Sequence, residues 1–149
     1  MIEVCDVVVL SNYSRKEGPK IMRMKPENGD FGGEEKEFLA CSFPENFQEK
    51  SVHSFSINTC ICFSYSFIYN KGIYSIAFAS QHCFAHLFFE FLKDAAAKFK
   101  KETAEERFAI ISDNIFRWRI DLKENIVNVF YVSKQFTVPI DNDQMYYMH

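Results

Sequence analysis

The stretch Thr59–Phe99, TCICFSYSFIYNKGIYSIAFASQHCFAHLFFEFLKDAAAKF, changes its apolar period part-way along. In Thr59–Tyr69 the bulky Ile61, Phe63, Tyr65, Phe67 and Tyr69 alternate with Cys60, Cys62, Ser64, Ser66 and Ile68. Successive side chains of a strand point to opposite sides, so this predicts a strand with one aromatic face and one small-residue face. Asn70-Lys71-Gly72 supplies a turn, and Ile73–Ala79 returns as a second strand. Beyond it Phe84, Leu87, Phe88, Phe91, Leu92, Ala95 and Phe99 recur at spacings of three and four, one stripe of a long amphipathic helix. Ser80 is the expected cap. Lys93, Lys98, Lys100 and Lys101 crowd the last turns, where positive charge suits the negative helix end. Phe88 and Phe91 are expected against the sheet, and the small face carrying Cys60 and Cys62 is expected to let this Phe-rich helix approach closely.

Upstream, Val4–Leu10 reads as a valine-rich strand, Gly18-Pro19 as a turn, and Lys20–Met24 as a strand pairing back. Pro26–Glu37, PENGDFGGEEKE, holds three of the five glycines and many acids and is expected to be an exposed, mobile loop. Phe38–Phe43 is apolar and ends at Pro44, and Val52–Ile57 is extended. Downstream, Thr103 and Glu106 are spaced as a capping box. Ala104, Phe108, Ile111, Ile115 and Trp118 form a second helical stripe. After the polar break Asp121–Asn125, the segments Ile126–Val132 and Phe136–Ile140 read as short strands or an extended tail. The order predicts an α+β fold: a mostly antiparallel sheet of about five strands with helices on its faces.

The 149 residues suit one domain, 1–149, and 48 % apolar residues supply its core. The 17 phenylalanines exceed what two helices and a small sheet readily bury, so some are expected to face a partner. A net charge of −3 suggests no broad basic face for nucleic acid. Cys5, Cys41, Cys60, Cys62 and Cys83, an odd set after the strand-like start MIEVCDVVVL, read as reduced thiols of a cytoplasmic protein. No apolar run is long enough to span a bilayer, and no lipidation motif is present, so membrane residence is expected only peripherally, at endomembranes, through partners.

Motifs for chemistry are sparse. There is no phosphate-binding glycine loop, no GxSxG, no HExxH and no CxxC. His82 and His86 have metal-compatible spacing, but Cys83 points away from them around a helix and no third ligand follows. Cys60 and Cys62 share a strand face, about 7 Å apart. They read either as small core residues or, with Cys83 and a base from His53 or His82, as a thiol or metal site. No catalytic residue, metal or cofactor is assigned. Trp118 between Arg117 and Arg119 is either a protein-contact anchor or the end of the helical stripe with its arginines turned outward.

Phe63–Phe99 resembles the core of longin domains: a hairpin of two long strands, a short link and a helix of the form aFxFLxxL. Three further segments resemble the upstream lobe of DENN-module proteins, including the folliculin-like branch. VVVLSNYSRKEGPKIM, Val7–Met22, is similar to the opening strand, Gly-Pro turn and second strand. FLACSFPENF, Phe38–Phe47, is similar to the aaFP(D/E) motif. ERFAIISDNIFRWRIDLKENIVNVFYVSKQFTVPI, Glu106–Ile140, is similar to the helix, tryptophan and extended passage leading to a second lobe. Two departures stand out: a glycine-rich acidic loop and short apolar segment replace the middle helix of SNARE longins, and residues 121–149 form an extended tail before any second lobe.

The resemblance implies a protein-interaction lobe of a DENN-type regulator in membrane trafficking. Its partners would be a Rab-type small GTPase, a second DENN lobe or a longin-containing protein, and it would contribute to guanine-nucleotide exchange by binding rather than by chemistry. It places partner contacts at Asn12, Tyr13, Arg15 and Lys16 in the first turn, to which Arg117, Trp118 and Arg119 are added. The alternatives are a regulatory longin of a SNARE or of a vesicle-coat or tethering complex, and a small thiol- or metal-dependent enzyme.

Overall fold

The computed structural model describes residues 1–45, 49–99, 101–132 and 134–140. Lys100 and residues 141–149 of the expected tail lie outside this set. The chain runs through β1 (Ile2–Glu3), β2 (Val7–Ser14), β3 (Gly18–Lys25), α1 (Glu35–Ser42), β4 (Ser51–Ile57), β5 (Cys60–Tyr69) and β6 (Gly72–Ser80). A 3-10 turn over Ala85–Phe88 leads to α2 (Phe89–Ala97), α3 (Ala104–Ile115), β7 (Arg119–Leu122), β8 (Ile126–Tyr131) and β9 (Lys134–Pro139). The fold is α+β with two antiparallel sheets, one of five strands in the order β3-β2-β6-β5-β4 and one of four in the order β1-β7-β8-β9.

The alternation in β5 organises the larger sheet. Phe63, Tyr65 and Phe67 join Val8, Leu10, Ile76 and Phe78 on one face, while Cys60 and Cys62 join Val7, Val9, Ala77 and Ala79 on the other. The β5–β6 turn is a two-residue loop in which Asn70 (φ 49°) and Lys71 (φ 66°) both have positive φ, the backbone whose twist matches the flanking strands. The Phe-rich helix packs on the bulky face: Phe84, Phe88 and Leu92 are buried with Phe63 and Phe78. This corrects the expectation that it would lie on the small face. What covers the small face is α1 with Phe31, whose ring sits 4.4 Å from that of Phe38.

The expected exposed loop is therefore partly a lid on the sheet. Its last residues start α1, so a helix does follow β3. Its Phe31 is 7 % exposed. The glycines serve close approach: a Cβ on Gly32, at φ +99°, would meet the Ile57 carbonyl oxygen at 2.5 Å, and one on Gly29 would meet Val7 at 2.5 Å.

The expected single long helix is broken. Ser80 ends β6 instead of capping a helix: its hydroxyl donates to the Val4 carbonyl and accepts from the His82 N–H at 3.0 Å. The α3 cap is as expected, with Thr103 Oγ1 accepting from the Glu106 N–H at 3.1 Å. Of the two readings of Ile126–Val132 and Phe136–Ile140, short strands or an extended tail, the strands hold: the described part of the expected tail forms the end of β7 and all of β8 and β9. These three strands close with β1 into the second sheet, Ile2 opposite Ile120 and Glu3 opposite Arg119. That sheet explains where the aromatic surplus goes. Among the described phenylalanines only Phe136 is largely exposed, at 37 %, while seven others are partly buried; Ile120, Val127, Val129 and Tyr131 extend the main core past the helices.

Phe88 and Phe91 divide between these surroundings. Phe88 is fully buried and stacks on Trp118, centroids 5.1 Å apart. Phe91 is only half-buried and stacks on Tyr131 of the second sheet at 4.3 Å, which corrects its expected place on the first. In urea denaturation, Phe88→Ala is expected to lower the unfolding free energy by about 3–5 kcal/mol, as for a fully buried Phe. Phe91→Ala should cost less than half as much; equal losses would refute this division. Gly32→Ala is expected to cost about 1–3 kcal/mol through its positive φ and the crowded carbonyl; an unchanged midpoint would show that the loop does not lie on the sheet.

Candidate functional site

Eight residues of α-helix rise about 12 Å, whereas a ten-residue strand runs about 33 Å. The helix α1 (eight residues) therefore covers only part of the small face beneath β5 (ten residues). Past its end, Tyr13 of β2, Ile68 of β5 and Ile73 of β6 lie on the same face by register, with Phe43 and Pro44 from the chain leaving α1. Tyr13 is 37 % and Ile68 43 % exposed, and with Ile73 and Phe43 beside them they make one contiguous apolar patch rather than single exposed side chains. The Tyr13 ring lies 5.8 Å from Phe43, tilted by 42°. Two connected hollows share Tyr13 and Ile73, one of about 670 Å³ running between the hairpin tips and one of about 300 Å³ against Phe43, Pro44 and Glu45.

The tips give this patch a positive rim. Arg15 and Lys16 are exposed in the β2–β3 turn, and Lys71 is exposed in the β5–β6 turn. None of the three takes part in an ion pair among the described residues, whereas the neighbouring Glu17 is paired with Lys20 at 3.4 Å. Two contacts hold the tips. Asn12 Nδ2 donates to the Ile73 carbonyl at 3.1 Å, and Ser14 Oγ accepts from the Glu17 N–H at 3.0 Å. Of the four first-turn residues expected to contact a partner, Tyr13, Arg15 and Lys16 are thus presented, while the Asn12 side chain is engaged in holding the two hairpins together.

The structure does not bring Arg117, Trp118 and Arg119 to this patch. Trp118 is fully buried, its ring edge-on to Phe78 at 5.4 Å and its Nε1 donating to Asn114 Oδ1 at 2.9 Å. It offers no surface to a partner. The Arg119 guanidinium donates to the Phe116 and Trp118 carbonyls and pairs with Glu3 at 3.3 Å, which leaves only Arg117 exposed. Ile68, Ile73, Phe43 and Lys71 are the patch residues that sequence reading missed. One signal existed: Ile68 is a large apolar residue on the otherwise small face of β5.

The thiols and histidines do not converge. Cys60 and Cys62 lie buried under α1 and Phe31. Burial pushes the Cys62 thiol up to about 12 and raises those of Cys60 and Cys5. His53 Nε2 donates to the Cys41 carbonyl at 2.9 Å. His82 Nδ1 accepts from the Phe84 N–H at 3.1 Å, and burial lowers its pKa against the opposing charge of Asp6. Among the described residues no group of three His, Cys, Asp or Glu side chains is placed to hold a metal, and no helix is long and apolar enough to cross a membrane. With a thiol reagent in native buffer, the half-buried Cys41 and Cys83 should label first, while Cys5, Cys60 and Cys62 should label only on unfolding. Fast labelling of Cys60 or Cys62 in the folded protein would reopen the thiol-site reading.

No protein-family model matches the chain, and no curated protein matches its sequence.

Proposed function

We propose that this chain is a longin-type interaction lobe of a DENN-like trafficking regulator, and that its patch around Tyr13 contacts a small GTPase of the Rab type. The observation that carries this reading is the exposed pair Tyr13 and Ile68, rimmed by Arg15, Lys16 and Lys71, at the open end of a five-stranded sheet. An aromatic anchor flanked by unpaired cations suits a protein surface with an acidic rim. The fold supports the longin part of the reading. A five-stranded antiparallel sheet carries helices on both faces, and α1 follows β3 and precedes β4, the second and third strands of that sheet in chain order, where a SNARE longin has its middle helix.

Exchange needs no acid, base or nucleophile. A factor that binds the nucleotide-free GTPase better than the loaded one shifts the population towards nucleotide release by that difference in affinity. The lobe would work in the cytoplasm, recruited to endomembranes by its partners, with a second lobe sharing the GTPase.

The test is capture of a panel of Rab-family GTPases, nucleotide-free and GTP-loaded, on the immobilised chain and on two surface variants, Arg15→Glu/Lys16→Glu and Tyr13→Ala/Ile68→Ala. Preferential capture of a nucleotide-free GTPase, weakened about tenfold or more in each variant, is the expected result; tenfold corresponds to about 1.4 kcal/mol. Capture of the GTP-loaded form alone would make the protein an effector. Capture of no GTPase would overturn the exchange reading in favour of a regulatory longin of a SNARE or of a coat or tethering complex.

A further inference from the structure

A second hollow, of about 530 Å³, lies between β5, the end of α2 and the first turn of α3. Its central feature is Arg107, only 8 % exposed. The guanidinium lies over the Phe67 ring at 4.9 Å and near that of Tyr69 at 5.7 Å, and its Nε donates to the Glu102 carbonyl at 3.2 Å. An arginine this deeply placed is ordinarily neutralised. Here no carboxylate lies within ion-pair distance among the described residues, and the two terminal nitrogens have no protein acceptor among them. The guanidinium lines the hollow, its terminal nitrogens open to solvent and without a partner among the described residues.

Two more cations line the same hollow, Lys50 and Lys93, both exposed and without an ion pair among the described residues. Glu49 is the one acid on the described lining. Three positive charges against one negative leave a net +2. Tyr65 adds a hydroxyl: burial raises its pKa, the charge of Arg107 opposes this and that of Glu49 adds to it, so it stays a protonated donor. The rings of Phe67 and Phe99 supply an apolar wall.

We propose that this hollow binds a small organic phosphate monoester, its phosphate on Arg107, Lys50 and Lys93 and its organic part against Phe99. A phosphate monoester carries a charge of about −1.5 to −2 at neutral pH, which matches the excess, while a single carboxylate leaves a cation over. Arginine's fork takes two phosphate oxygens at once. The volume is in the range of small-ligand sites. This site rests on residues outside the Tyr13 patch, apart from the shared rim residue Ile68, so it stands or falls independently of the GTPase reading.

The experiment is an NMR titration of the isotope-labelled whole chain with phenyl phosphate, inorganic phosphate and benzoate. Phenyl phosphate should shift the Arg107 Nε–H signal and the amides around the hollow. Inorganic phosphate should bind about tenfold more weakly, for want of the apolar contact, and benzoate weaker still. Because Arg107 is also packed in the core, the deciding variants are at exposed positions. Lys50→Ala and Lys93→Ala should each weaken phenyl phosphate about three- to tenfold, by loss of a charge-assisted contact. Glu49→Gln should tighten it. The proposal is overturned if phenyl phosphate gives no shifts at the hollow, if benzoate binds as well as phenyl phosphate, or if Lys50→Ala and Lys93→Ala both leave its binding unchanged.

Discussion

The contact on which the architecture depends is the stacking of Trp118 on Phe88. Their rings lie 5.1 Å apart and nearly parallel, at 15°. Trp118 also meets Phe78 of the large sheet edge-on and lies 5.6 Å from Tyr131 of the small one. One indole thus touches both sheets and the turn that starts the helical region. It can be buried completely only because its single polar atom is bonded to Asn114, four residues earlier at the end of α3. With this ring in place the two sheets share one core with α2 and α3, and the stacking of Tyr131 on Phe91 adds a second aromatic contact to the smaller sheet.

The two faces of the large sheet are built on different principles. One is filled by interlocking rings, Phe63 against Phe78 and Phe67 against Tyr74. The other is flattened by cysteine, alanine and serine, with Ser64 and Ser75 hydroxyls bonded to each other across β5 and β6. A flat face admits backbone at short range, which is why a glycine-rich segment lies there. Volume on one side and its absence on the other set which helix goes where, since α2 brings large side chains that need gaps between other large side chains.

How much of this was legible follows from the range over which each signal acts. The β5–β6 hairpin and the α3 cap are local, and alternation or spacing within a dozen residues reveals them. The Ala85–Phe88 break in the expected helix is not visible in the three-and-four spacing, because a 3-10 turn places Phe84 and Phe88 on the core side nearly as an α-turn would. α1 was missed because its two turns, with only Phe38 and Leu39 among its large apolar side chains, follow three glycines. The second sheet was hidden because its edge partner is two residues long and lies at the far end of the chain. The candidate patch was half legible: Tyr13, Arg15 and Lys16 stand in a recognisable turn, but Ile68, Ile73 and Phe43 join them only through strand register. Arg107 gave no signal at all, because a lone arginine in a helix acquires meaning only from the missing carboxylate around it.

The pairing of Ile2 with Ile120 has a temporal consequence. The five-stranded sheet has all its strands once Ser80 has been made, and every pairing within it joins segments that are neighbours or bridged by fewer than eighty residues. The β1–β7 seam must wait for the rest, and closing so long a loop gains only two residues of ladder and one exposed ion pair, Arg119 with Glu3. A seam held by so little is expected to be the last of these pairings to form and the first to open on heating. The order in which the polypeptide is synthesised would then be mirrored in the order in which its parts let go.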